Sequence, residues 1–218
     1  MNLTNAYNPQ LAIGVRSDRR MGARWSLRCL RRRFAALARV LVVGVSLILG
    51  TSAAFAAEDA PLDFQVKAAF LVNFPKYVDW PAGTLAETNS PITVAILGDD
   101  NVAGEFGNMI EGGRSIGGHP IKLKRITKDE QIGPDCQILF IASSEQQRAP
   151  AILEKVKGMG ILTVGEADNF LEKGGVVNLV KRDRKIRFQI NLDAARQSHL
   201  KISTRLLVVA DSVKGKTE

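Results

Sequence analysis

Cysteine is nearly absent from this 218-residue chain: Cys29 and Cys136 are its two thiols. Cys29 falls in an N-terminal stretch with the marks of a leader, which leaves Cys136 alone. One thiol cannot close an intramolecular disulfide, so the domain must be held by its core. In an apolar setting a lone Cys is read as a small core residue. Histidine is as scarce. His119 and His199 lie far from Cys136, and neither stands at a His/Cys/carboxylate ligand spacing. No metal and no cofactor are expected. Nucleotide signatures are missing too. Residues 111–120 (EGGRSIGGHP) contain neither G-x-x-x-x-G-K-[ST] nor G-x-G-x-x-G between a strand and a helix, and are expected to form a surface loop. Ser143-Ser144 lacks the G-x-S-x-G elbow. Gly98-Asp99-Asp100 offers two carboxylates to a divalent cation, but turn chemistry accounts for the triplet equally well. No catalytic residue is therefore expected. An enzyme working through Cys136 or a Ser/His pair is the weakest of three functional readings.

An excess of positive charge outside the N-terminus is also lacking. The chain has a formal net charge of +8, with 30 Lys/Arg and 22 Asp/Glu. Nine of the Arg and one acid, Asp18, lie in residues 1–56, which leaves 21 of each sign in the remainder. A neutral domain has no surplus cations with which to displace counterions from phosphates, which removes the main support for nucleic-acid binding. The N-terminal stretch itself combines a basic n-region, an apolar run at 34–50 (FAALARVLVVGVSLILG) and a small-residue A-x-A site at Ala54-Phe55-Ala56. This is the pattern of a secretory signal peptide. Cleavage is expected between Ala56 and Ala57, giving a signal peptide of residues 1–56 and an exported domain of residues 57–218. A start at Met21 would give an n-region of more usual length. Arg31-Arg32-Arg33-Phe34 also loosely matches a twin-arginine signal. A retained anchor is the other reading, disfavoured by Arg39 within the run.

After the leader, hydrophobic periodicity sets out the elements. Residues 58–62 are expected to be a loose tail, with Asp63 capping a helix that begins FQVKAAFLVNF. Val66, Phe70, Phe74 and Tyr77 share one face of it, widened by Leu71 and Val78. Pro75 ends or kinks this helix, and Trp80-Pro81 closes the segment. Strands are expected at 92–97, 120–126 and 161–164. A central strand at 136–142 (CQILFIA) is apolar throughout, as burial on both faces requires. Helices are expected at 102–110, 146–157 and 167–173. Residues 176–180 and 185–191 read as a β-hairpin around a charged turn, with Ile186, Phe188 and Ile190 on one side and Arg187 and Gln189 on the other. Asn191 and Ser203 are placed to cap two closing helices, the last carrying Leu206, Leu207 and Val209. The order predicts an α/β fold: a single-domain sandwich with a mixed β-sheet flanked by helices, and a C-terminal β-hairpin plus helices.

Two long segments resemble a known family. Residues 64–81 (FQVKAAFLVNFPKYVDWP) are similar to the opening signature of the YfiR family, through Lys67, Phe70, Asn73, Phe74, Trp80 and Pro81. Residues 187–210 (RFQINLDAARQSHLKISTRLLVVA) resemble its closing signature, through Phe188, Ile190, Asn191, Ala194, Ala195, Leu200, Ile202, Ser203, Arg205 and Leu206-Leu207. ITVAILGDD, CQILFIA, ILTVGE and FLEKGGVVNLV fall between them in the expected order. Pro75 departs from the family pattern, and so does the loss of every cysteine but Cys136 beyond the leader.

The resemblance implies a non-enzymatic periplasmic regulator. Such a protein binds the periplasmic part of an inner-membrane diguanylate cyclase of the YfiN type and holds it off, lowering cyclic di-GMP and biofilm formation. An outer-membrane lipoprotein antagonist and a homodimer are implied as well. Five aromatics in the opening segment exceed what one helix face can bury, so Tyr77 and Trp80 are the expected partner-binding residues. The alternative is a periplasmic small-ligand sensor acting on another partner, with Arg187 and Arg205 as anchors for a carboxylate or phosphate.

Overall fold

The apolar run expected at the centre of the sheet is there. In the computed structural model, which describes residues 59–85, 87 and 89–216, Ile138–Ile141 form a strand of four buried residues. Its neighbours on both sides are parallel. Ile138 and Phe140 pack into the core on one face, and Leu139 and Ile141 into the core on the other. A strand buried on both sides has no place for a polar residue, which is why the run is continuous. The signal peptide, its cleavage site and the alternative start expected above lie outside the described residues.

In chain order the elements are α1 (Asp59–Asn73), a 3₁₀ turn (Phe74–Tyr77), β1 (Val78–Asp79), β2 (Ile92–Leu97), α2 (Asp100–Ile110), β3 (Ser115–Ile116), β4 (His119–Ile126), β5 (Ile138–Ile141), α3 (Ala149–Val156), β6 (Leu162–Gly165), β7 (Val177–Arg182), β8 (Lys185–Asn191), α4 (Leu192–Gln197), β9 (Lys201–Ile202), α5 (Thr204–Val209) and β10 (Ser212–Lys214). Among the described residues, eight strands form one sheet in the order β10-β8-β7-β6-β5-β2-β4-β3, and β1 pairs with β9 in a separate ribbon. The sheet is mixed. Strands β4, β2, β5, β6 and β7 run parallel, whereas β8 turns back against β7 and β3 against β4. Helices α1 and α2, with residues of α4 and α5, cover one face, and α3 with Phe170 and Leu171 covers the other. This is the expected α/β sandwich with its C-terminal hairpin.

Several local expectations need correction. Helix α1 starts at Asp59, so residues 59–62 are helical and Asp63 is an interior position. Pro61 is tolerated in a first turn, where its missing N–H has no partner to lose. Asp63 pairs with Lys181 of β7 instead of capping. No helix forms at 167–173: Asn169 takes the left-handed conformation (φ 58°) and the chain passes through turns. The glycine-rich stretch is not all loop. Gly117 and Gly118, both at positive φ, make the two-residue turn between β3 and β4. Leu206 is buried as expected, but Val209 is 65% exposed. The ribbon β1·β9 and edge strand β10 were beyond the sequence pattern, being two and three residues long.

The turns at 167–175 exist to seat Phe170, which is completely buried. Its ring is clasped between two glycines. A Cβ on Gly165 would lie 2.4 Å from ring atom Cε2, and one on Gly175 would lie 2.1 Å from Cε1. Neither ring edge has room for a methyl group. Gly165→Ala and Gly175→Ala are each expected to lower stability by about 2 kcal/mol through overpacking, read as a shift in the urea midpoint. Shortening the ring in the double variant Gly165→Ala/Phe170→Leu should recover part of that loss.

Candidate functional site

The two ends of the folded domain close on each other. Phe70 and Phe74 of the opening segment stack with centroids 5.7 Å apart, and both meet the edge of Phe188 on β8, at 5.3 and 5.5 Å. Backbone bonds extend the contact. Ser203 N–H donates to the Tyr77 carbonyl (2.9 Å), and Val78 pairs with Ile202. The closing helices are set by their caps. Asn191 Oδ1 accepts from the N–H groups of Asp193 and Ala194, and Ser203 Oγ accepts from Arg205 N–H. His199 terminates α4 in the left-handed conformation (φ 57°). Leu200 N–H bonds the Ala195 carbonyl and His199 N–H the Arg196 carbonyl, the pattern of a Schellman cap. His199 is thus a cap residue in this fold.

Over the three Phe rings lies an apolar groove of about 440 Å³, walled by Val66, Phe70, Phe74, Phe188, Leu206 and Val209. Tyr77 and Arg205 also line it. Val66, Phe70, Phe74 and Tyr77 are therefore the face that periodicity picked out. It is not the deepest face of α1: Ala68, Leu71 and Val72 are the fully buried positions, and Val66 is 39% exposed.

The C-terminal edge of the parallel strands, where α/β folds place ligands, is filled by the protein itself. The order in which strands are added to the sheet reverses between the parallel neighbours β2 and β5, and there Ser144 Oγ donates to the Gly98 carbonyl (2.9 Å). A Cβ on Gly98 would lie 2.5 Å from Glu145 Cγ. Asp99 is spent as the cap of α2, accepting from Asn101 and Val102 N–H at 2.9 and 3.0 Å. Beside them Lys67 of α1 forms an ion pair with Glu166 at the end of β6, and both side chains are largely out of solvent. Glu166 also accepts from Ser143 N–H at 3.0 Å. The sequence offered a faint signal for this pair: a lone Lys in an apolar helix and a Glu ending a buried strand.

The other singled-out residues fall in different places. Arg187 points to the sheet face opposite Phe188, because neighbours along a strand alternate. Arg205 stands with Phe188 at the groove, so the two guanidinium groups do not share a crevice. Neither is in an ion pair among the described residues. Tyr77 and Trp80 are both half-buried, while Phe74 is fully buried. Trp80 lines a second, more open depression with Pro75, Asp79 and His119, and its buried indole N–H has no acceptor among the described residues. His119 opens β4 and bonds the Ser90 carbonyl through Nδ1 (2.9 Å). It stands at the opposite end of the sheet from Ser143, which follows the parallel strand β5, so this pair cannot assemble a triad. Cys136 is buried with its Sγ 3.0 Å from the Ile138 carbonyl.

Among the described residues there is no cluster of three metal-ligating side chains, and no helix is long and apolar enough to cross a membrane. What these features define is a single α/β domain whose terminal segments build one aromatic surface. Residues 64–211 match the YfiR/HmsC-like family, and the chain belongs to it. The family is regulatory and non-catalytic, and its members are periplasmic regulators of diguanylate cyclases. No curated protein matches the chain. Among solved structures, similarity is found to a conserved domain protein from Vibrio cholerae O1 biovar El Tor, at 11% identity and TM-score 0.46, over 71% of this chain and 60% of that one. It is also found to the ABC domain in complex with L-Trp from Streptococcus pneumonia, at 12% identity and TM-score 0.46, over 69% and 60%. The chain thus spans less than two thirds of either structure.

Two outcomes follow from this geometry. Lys67→Ala strands Glu166 without its counter-charge and is expected to cost about 2 kcal/mol or more. Glu166→Gln keeps an acceptor for Ser143 N–H but strands the Lys67 ammonium, so it should lose stability as well; a Lys67→Ala variant as stable as the parent in chemical denaturation would show that the ion pair contributes nothing. Burial pushes the Cys136 thiol up from 9.0 to about 12. Above pH 9 the unfolded chain releases this proton and the folded chain does not, so stability falls as pH rises from 9 towards 12. Cys136→Ser should flatten that slope, and native Cys136 should react slowly with a thiol reagent at neutral pH.

Proposed function

We propose that this chain is exported through residues 1–56 and that its periplasmic domain, residues 57–218, represses an inner-membrane diguanylate cyclase of the YfiN type. It does so by binding the periplasmic part of the cyclase, which lowers cyclic di-GMP and biofilm formation. An outer-membrane lipoprotein that competes for the regulator, and a homodimeric state, complete this reading. The observation that carries it is family membership across residues 64–211, which takes in both terminal signatures.

The chemistry of the surface supports a partner contact. Tyr77 and Trp80 follow one another around the end of α1 and are half-buried in the domain. Amphipathic rings of this kind are favoured as anchors at protein interfaces, because they present a large apolar body with one polar handle.

Deletion of the gene is expected to raise cyclic di-GMP in the native cell, provided the cyclase is expressed. Unchanged nucleotide levels would end this reading. Trp80→Ala and Tyr77→Ala should each weaken repression by roughly tenfold or more while the domain stays folded. If Trp80→Ala leaves no soluble protein while Tyr77→Ala represses normally, the partner surface lies elsewhere.

A further inference from the structure

The groove over Phe70, Phe74 and Phe188 carries an inference that goes beyond cyclase repression, and Tyr77 of the proposed partner surface stands at its border. Its volume of about 440 Å³ falls in the range of small-molecule sites, which combine apolar walls with a few polar groups. Those polar groups are unequal in what they have left to offer. Asn73 is used up within its own turn: its Nδ2 donates to the Ala69 carbonyl (2.7 Å) and its Oδ1 accepts from Lys76 Nζ (2.8 Å). Arg205 is exposed, lines the groove and meets no carboxylate among the described residues. No Asp or Glu lines the groove. The site therefore presents one guanidinium, the Tyr77 side chain, no carboxylate and an aromatic wall.

We propose that this groove binds a small monocarboxylate with an apolar alkyl or aryl body. The carboxylate pairs with the fork of Arg205, which suits two parallel N–H···O bonds. The body lies against Phe70 and Phe188 and covers Val66 and Val209, 39% and 65% exposed without it. The absence of any acid in the lining selects against zwitterions, because an ammonium group would lose water there without gaining a partner. A cationic ligand is excluded on the same ground.

The test is a calorimetric and NMR titration of the purified protein with octanoate and phenylbutyrate, compared with neutral phenylbutanol and cationic phenylbutylamine. Octanoate and phenylbutyrate separate an alkyl from an aryl body, and saturable binding of either fits the proposal. Ring resonances of Phe70, Phe74 and Phe188 should shift, the alcohol should bind about tenfold more weakly than the acid, and the amine should not bind. Arg205→Gln should bring the acid down to the level of the alcohol without changing thermal stability. Ala69 also lines the groove, and Ala69→Trp should abolish all binding by filling it; if that variant does not fold, Val209→Trp serves as the filler. Acid and alcohol binding equally, an acid affinity untouched by Arg205→Gln, or no saturable binding would each overturn the proposal. So would sedimentation as a dimer that Val209→Glu dissociates and the acids leave intact, because the groove would then belong to a second copy of the chain.

Discussion

The contact of Phe70 and Phe74 with Phe188 is the constraint on which the rest of this domain depends. It joins a helix at the start of the folded chain to a strand near its end. Strand β8 is placed by its hairpin with β7, whose turn at Asp183-Arg184 adopts positive φ at both residues, the geometry that matches strand twist in a two-residue connection. Once β8 is seated, its inward residues Ile186, Phe188 and Ile190 form a floor for α1. Helix α1 then brings Lys67 to Glu166, and the chain after it brings Val78 to Ile202.

This closure has a consequence for where recognition takes place. In many parallel α/β folds the crevice at the strand ends is open and holds the ligand. Here Ser144, Glu145, Asp99 and the Lys67–Glu166 pair occupy that edge. The open apolar surface lies elsewhere, along the seam where α1 and α5 meet over β8. The family to which the chain belongs is regulatory and non-catalytic.

Much of the sheet was legible because its signals are local. The period-two pattern of β8, the unbroken run of β5 and the caps at Asn191 and Ser203 each depend on a few consecutive residues. The misses have a common physical origin. Residues 167–173 have a helix-like apolar spacing, but Phe170 must enter the clasp of Gly165 and Gly175, and Asn169 takes a left-handed conformation to allow it. Asp63 is a good cap in isolation, but Lys181, 118 residues away, claims its carboxylate. Arg187 and Arg205 belong to one closing signature, yet strand alternation turns Arg187 to the sheet face opposite Phe188, whereas Arg205 stands on α5 at the groove.

The sequence by itself determined the fold class, the central strand, the hairpin and the family signatures. Each is a property of residue type and spacing, which the chain carries before it folds. Tertiary structure alone decided that the two signatures form one seam, that Lys67 meets Glu166 and that Arg205 faces a groove without an acid in it. These are pairings between residues far apart in the chain. They are selected by which faces remain to be buried once the sheet has formed, and no local pattern encodes that choice.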